Sequence, residues 1–326
     1  MHRYSYYKTA ACTLNVSIGD PQANKEEILK CIQELDSDTQ LVVFPELCIT
    51  GYTCQDLFYE HTLLNRAKQV LFEIVEELPE NLVTVLGLPL EIENKLYNCA
   101  AICFNHDILG IQVKTYIPSY NEFYETRWFS SASELKENTT FTYKNKKVPV
   151  SNHIVFKDTT TSACLGIEIC EDLWVTIPVS STHALAGANI LCNLSASNEI
   201  ISKANYRRNL VKDQSAKCYA GYIYASAGPT ESSSDLVFSG HNLICENGAI
   251  LNETKTDKII YGQIDLDHLN HDRLHYKTSM QDLFHVNYTT VDFASKPIHE
   301  IEFDRYIDAY PFVPNNQDER IVRCLE

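Results

Sequence analysis

Short runs rich in Val, Ile, Leu and Cys recur along the chain with helical stretches between them. That alternation restricts the possible folds more than any other feature of the sequence. TAACTLNV (9–16), QLVVFP (40–45), LVTVLGLPL (82–90), SACLGIEI (162–169), ANILCNL (188–194) and GYIYASA (221–227) are largely apolar along both faces. Strands without a polar face are covered on both sides, which implies an α/β layered architecture. The stretches between them carry helical period. Ile28, Leu29, Ile32 and Leu35 share one face of ANKEEILKCIQEL (23–35), and further helices are expected over 56–78, 179–187 and 202–218. YNCAAICF (97–104), ILGIQVK (108–114) and KIIYGQIDL (258–266) add strands. LVFSGHNLICE and GAILNET form a hairpin-like pair across Asn247-Gly248. Residues 115–150 form an aromatic, polar loop region with little period. The pattern weakens after about 268, so the principal domain is placed at 1–268. Residues 269–326, including DAYPFVPNNQDER, are expected to form an extension or connector.

Charge and cysteine usage narrow the classes. A formal charge of -16 disfavours a nucleic-acid surface, which needs clustered Lys and Arg. KNKK at 144–147 and the Arg207–Arg208 pair are read as a solvated turn and a helix face. No segment approaches the length of a membrane span, and the N-terminus lacks the apolar core of a secretory signal, so a cytoplasmic location is expected. The 12 cysteines are scattered singly with no C-x-x-C pair, which argues for small buried hydrophobes rather than disulfides or a zinc site. His268, His271 and His275 have helical spacing, but no acid or cysteine cluster joins them, and no metal is expected there.

IEICEDLW (167–174) poses the chemical question. Cys170 ends an apolar strand and is followed at once by Glu171 and Asp172, a setting that favours the protonated thiol. Two other polar residues also stand at strand ends, Glu46 after LVVFP and Lys114 after ILGIQV, where sites collect in layered α/β folds. Each alone reads as a surface or structural residue. Together they make a chemical unit: a thiol nucleophile, a carboxylate to take its proton, and an ammonium that favours thiolate and steadies a developing oxyanion.

FPELCITGY, KTYIPSYNEFYE and EICEDLW resemble the nitrilase or carbon–nitrogen hydrolase superfamily. GYTCQDLF (51–58), EFYETRWF (122–129), ALAGANILCNLSAS (184–197) and YAGYIYASAGPTESSSDLVFSG (219–240) narrow the resemblance to the glutaminase domain of glutamine-dependent NAD+ synthetases. The resemblance implies a four-layer αββα sandwich with Glu46 as general base, Lys114 as oxyanion stabiliser and Cys170 as nucleophile. Glu122 matches the second glutamate of the site, or a structural partner of Lys114. Tyr52, Tyr120, Glu171, Trp174 and Ser197 are implied to line a glutamine pocket.

The implied activity is glutamine amidohydrolysis through a γ-glutamyl thioester, with the ammonia supplied to an NAD+ synthetase. No S-G-G-x-D-S or G-x-x-x-x-G-K-[ST] string occurs, so the chain is expected to be an isolated or truncated glutaminase portion. It is expected to use no cofactor, with ATP and Mg confined to an absent synthetase domain. Oligomers of the chain are also implied. A stand-alone amidase or nitrilase, and a non-catalytic scaffold that retains the fold, are the alternative expectations.

Overall fold

The computed structural model describes residues 5–278, 280, 281, 285–296, 298, 300–307, 313 and 317–325. The chain runs β1 (Tyr6–Cys12), α1 (Pro21–Gln33), β2 (Leu41–Val43), α2 (His61–Glu77), β3 (Val83–Ile92), β4 (Lys95–Phe104) and β5 (Asp107–Val113). It continues through β6 (Thr140–Tyr143), β7 (Lys146–Ser151), β8 (Ile154–Asp158), β9 (Cys164–Ile169), α3 (Val179–Leu185), β10 (Ile190–Ser195) and α4 (Lys203–Lys217). Then follow β11 (Gly221–Ser226), β12 (Asn242–Glu246), β13 (Ala249–Thr254), β14 (Ile259–Asp265), α5 (Leu266–His275) and β15 (Thr289–Phe293).

These strands make two mixed sheets. One has the order β14-β1-β2-β3-β4-β5-β7-β6 and the other β13-β12-β11-β10-β9-β8-β15. Alternation along each strand sorts the apolar residues into layers. In β2, Leu41 and Val43 join Val85, Ile102, Ile167, Ile190 and Ile223 in a core between the sheets. Val42 faces the other way, onto Ile28 and Ile32 of α1 and Val70 and Ile74 of α2. On the far side, Ala184 of α3 and Val211 of α4 pack with Leu191 and Tyr222. The result is a four-layer αββα sandwich. Each fully buried Val, Ile or Leu contributes about 1.5–3 kcal/mol, so the double-sided strands dominate the stability.

The structure departs from the sequence reading where backbone conformation interrupts a pattern. The helix expected over 56–78 starts as a separate turn, Gln55–Tyr59, because Gln55 has φ 50 and Glu60 is extended; α2 begins at His61. The expected loop 115–150 contains the β6–β7 hairpin, which adds to the edge of the first sheet, with KNKK in and beside its turn. LVFSG lies outside β12, and Gly240 at φ 66 precedes that strand. Asn247 and Gly248, at φ 46 and 83, make the expected hairpin turn.

The boundary at 268 falls inside α5, and part of the expected extension joins the second sheet. β15 pairs parallel to β8, buried Phe293 packs on Phe104, and the Ser295 hydroxyl donates to Asp158 at 2.6 Å. Most of DAYPFVPNNQDER, residues 308–312 and 314–316, lies outside the described residues. His268, His271 and His275 all sit on α5, where His268 pairs with Asp272 and Glu246. Among the described residues, no group of His, Cys, Asp and Glu could hold a metal, and no helix is long and apolar enough to cross a membrane.

Candidate active site

The ends of β2, β5 and β9 bring three chemical groups together where the two sheets face each other. Glu46 stands three residues past β2, on a turn that packs tightly against β3. A Cβ at Gly87 would lie 2.4 Å from Leu47 N and 2.7 Å from Pro45 O, so only glycine permits this approach. The Glu46 carboxylate is fully buried and spends both oxygens. Oε1 accepts from Lys114 Nζ at 2.6 Å and from Asn98 Nδ2 at 2.7 Å, and Oε2 accepts from Ala196 N at 2.8 Å.

Lys114 follows β5 and is equally buried. Its ammonium lies between Glu46 and a second carboxylate, Glu125, whose two oxygens are 2.9 and 2.8 Å away. Burial opposes the charge of Lys114, but the two carboxylates outweigh it and hold its pKa well above the ordinary lysine value. Glu125 is pushed up to about 7, chiefly by burial, with Lys114 opposing and Glu46 adding to the rise.

Cys170 opens a short turn, Cys170–Leu173, directly after β9. Its φ is 47, in the left-handed region that costs a non-glycine residue about 1–3 kcal/mol. It retains 6% of its surface exposed. Burial is the main force raising its thiol pKa, and Glu46 adds to it. The pull of Lys114 is in the opposite sense and smaller. The ammonium is shared between two carboxylates and offsets only part of this bias, so burial and Glu46 together favour the protonated thiol. The next two acids are not what holds the proton. Glu171 accepts from Tyr120 Oη at 3.0 and 2.9 Å. Asp172 turns back to accept three backbone N–H groups, from Ile169 at 3.1 Å, Thr115 at 3.0 Å and Tyr116 at 2.8 Å.

Glu122 does not reach Lys114, contrary to the sequence reading. It accepts a hydrogen bond from Asn198 Nδ2 instead, and Asn198 Oδ1 in turn accepts from Lys203 Nζ. The cause is the local turn. Phe123 N donates to Tyr120 O and Glu125 N to Pro118 O, which puts Phe123 and Glu125 inside and leaves Glu122 half-buried at the rim. No period in EFYE marks Glu125, whose burial follows from this turn. Tyr52 lines a neighbouring pocket with Glu122, Phe123 and Glu125, and its hydroxyl donates to Glu125 Oε1 at 2.8 Å, which helps fix that carboxylate.

A cleft of about 330 Å³ is lined by Tyr120, Glu122, Phe123, Trp174, Lys203 and Tyr206. Tyr120 and Trp174 are therefore brought together, with Glu171 joined to Tyr120. Lys203, which the sequence reading passed over, places its ammonium 5.5 Å from the centre of the Phe123 ring and 5.2 Å from that of Trp174. Burial lowers its pKa, while Cys170, Glu122 and Glu171 are near enough to raise it. Ser197 is buried, and its hydroxyl accepts from Arg207 at 3.1 Å. Arg207 is itself fully buried, against the expectation of a solvated pair, and also donates to Asn198 O and His241 Nδ1; only Arg208 lies toward solvent, on Glu253.

The arrangement places the Cys170 thiol near a buried carboxylate and a buried ammonium, with a cleft lined by Glu122 and Lys203 close by. Comparison with known proteins gives the same direction. The family model for carbon–nitrogen hydrolases matches residues 8–273. A glutamine-dependent NAD(+) synthetase of Mycobacterium tuberculosis is 34% identical over 338 residues, covering 100% of this chain and 50% of that relative. The crystal structure of a glutamine-dependent NAD(+) synthetase from Cytophaga hutchinsonii superposes with a TM-score of 0.70 at 28% identity, over 79% of this chain and 43% of that one. Nit3 of Saccharomyces cerevisiae, a nitrilase-superfamily structure, shares the fold with a TM-score of 0.64 at 20% identity, over 83% of this chain and 94% of its own. The chain thus spans about half the length of the synthetases it matches. With a match over most of its 326 residues and the sandwich fold to go with it, this chain belongs to the carbon–nitrogen hydrolase family.

Proposed function

We propose that the chain hydrolyses the side-chain amide of glutamine and that the ammonia serves an ATP-dependent NAD+ synthetase. The observation that carries this reading is the buried Glu46–Lys114–Glu125 cluster beside the strained Cys170 turn, next to a cleft lined by Lys203 and by Tyr120, whose hydroxyl holds Glu171. A free α-amino acid presents an ammonium and a carboxylate, and Glu171 and Lys203 are the matching partners. The half-length match to glutamine-dependent NAD(+) synthetases supports both the substrate and the destination of the ammonia.

Cys170 Sγ attacks the amide carbon while its proton passes to Glu46. Lys114 and the Glu171 backbone N–H offset the charge on the carbonyl oxygen, a contribution on the order of 10²–10³ per donor. The C–N bond breaks as Glu46 returns the proton to nitrogen, and ammonia leaves. Water, deprotonated by Glu46, then cleaves the γ-glutamyl thioester to glutamate and the free thiol. Side chains and one backbone N–H perform these steps, with ATP and Mg acting at the synthetase site. Glutamate release by the purified chain and its Cys170→Ala variant tests the reading. Release by the wild type alone supports it. Faster turnover of simple aliphatic amides or nitriles than of glutamine overturns the substrate assignment.

A further inference from the structure

Cys170 sits in a backbone conformation that its own side chain disfavours, so the surrounding structure must impose it. Asp172 is the side chain placed to do so. One of its oxygens, Oδ2, accepts from the N–H of Ile169, the residue just before Cys170. The other, Oδ1, accepts from the N–H groups of Thr115 and Tyr116, the two residues just after Lys114. A single fully buried carboxylate therefore joins the peptide that carries the thiol to the peptide that carries the ammonium. β5 and β9 belong to different sheets, so no backbone ladder joins these two strands.

We propose that Asp172 is a positioning residue that sets the place of Cys170 relative to Lys114 and holds the turn in its strained, attack-ready form. This inference rests on the reading of Cys170 as nucleophile and extends it. Three N–H groups aimed at one carboxylate require an acceptor at both oxygens. Asn keeps the shape but turns an NH2 toward one of those donors, so the brace opens at one end. Chemistry that depends on near-attack geometry loses on the order of 10²-fold for a displacement of about 1 Å. The side chains of Glu171 and Lys203 are held by Tyr120 and Asn198 and not by Asp172.

The test compares wild type with Asp172→Asn in two assays on folded protein: glutamine turnover, and the rate of Cys170 alkylation by dilute iodoacetamide followed by mass spectrometry. The expected result is a fall in kcat of about 10–100-fold, KM within about 3-fold of wild type, and an alkylation rate reduced along with kcat. A folded variant with unchanged kcat and alkylation rate overturns the proposal, as does a rise in KM at constant kcat. Asp172→Ser, which removes the bridge but leaves a small polar group, is read in the same way. If neither variant folds, Asp172 is a folding residue only and the positioning role is lost. Alkylation does not require glutamine, so a wild type inert toward glutamine defeats the proposed substrate while leaving this inference to be decided by the thiol.

Discussion

Glu125 grips the Lys114 ammonium with both carboxylate oxygens, at 2.8 and 2.9 Å, in a buried site. Its carboxyl is nevertheless pushed up to about 7, because burial outweighs the attraction of the ammonium. Ionised Glu125 holds Lys114, so kcat/KM should rise as pH passes through about 7. In Glu125→Gln that rise should disappear, with a fall in kcat of about 10²-fold. Stability runs the other way. A carboxyl whose folded pKa exceeds its ordinary value of 4.5 stabilises most below that value and loses the contribution as pH rises to about 7. Urea midpoints should therefore fall less steeply across this window in Glu125→Gln than in wild type, the remaining fall coming from other carboxyls that burial raises, Asp172 among them. An unchanged kcat/KM inflection and an unchanged fall in the variant would contradict the assignment.

Lys114→Met removes the only cation between two buried carboxylates. Breaking a buried pair costs about 3–5 kcal/mol, because the remaining charge is left without a partner. Loss of the oxyanion partner should lower kcat by about 10³-fold. Denaturant unfolding and steady-state assays read the two losses separately. Wild-type stability in Lys114→Met would show that the cluster is not charged as described.

Lys203→Met and Glu171→Gln should act on binding. KM for glutamine should rise about 10–100-fold in each, with kcat changed much less, because these contacts are made equally in ground and transition states. An amide without the α-carboxylate should be hydrolysed no worse by Lys203→Met than by wild type. An equal loss on both substrates would place Lys203 outside the binding site.

Cys170 pays for its placement in conformational strain. Glycine normally destabilises a chain relative to alanine by roughly 0.5–1 kcal/mol. At φ 47 the order should reverse, and Cys170→Gly should be at least as stable as Cys170→Ala. Both should be inactive. A clearly less stable glycine variant would show that the turn relaxes without its Cβ penalty.

The layered fold was legible because double-sided strands leave an unambiguous mark: LVVFP, LGIEI and ILCNL are buried strands or strand ends. Glu46, Lys114 and Cys170 stood out for a related reason, as polar residues at the ends of apolar runs. Glu125 was passed over because its burial comes from a non-repeating turn through 118–125, where no period distinguishes it from Glu122. Lys203 was hidden by its position at the start of a helix, where lysine is ordinarily solvated. The β6–β7 hairpin and β15 escaped notice because edge strands are short and polar on one face. Asp172 looked like a source of repulsion toward the thiol, and only the placement of three backbone N–H groups reveals it as a brace.

The proposed activity depends on one buried sulfur becoming a nucleophile through an ammonium and a carboxylate drawn from distant parts of the chain. Rapid quenching of the protein with glutamine, followed by peptide mass spectrometry, tests this most directly. A glutamyl adduct on the peptide bearing Cys170, formed in wild type, absent in Cys170→Ala and sharply reduced in Glu46→Gln, is the expected result. Glutamate release with no adduct on Cys170, or an adduct on another residue, would contradict it.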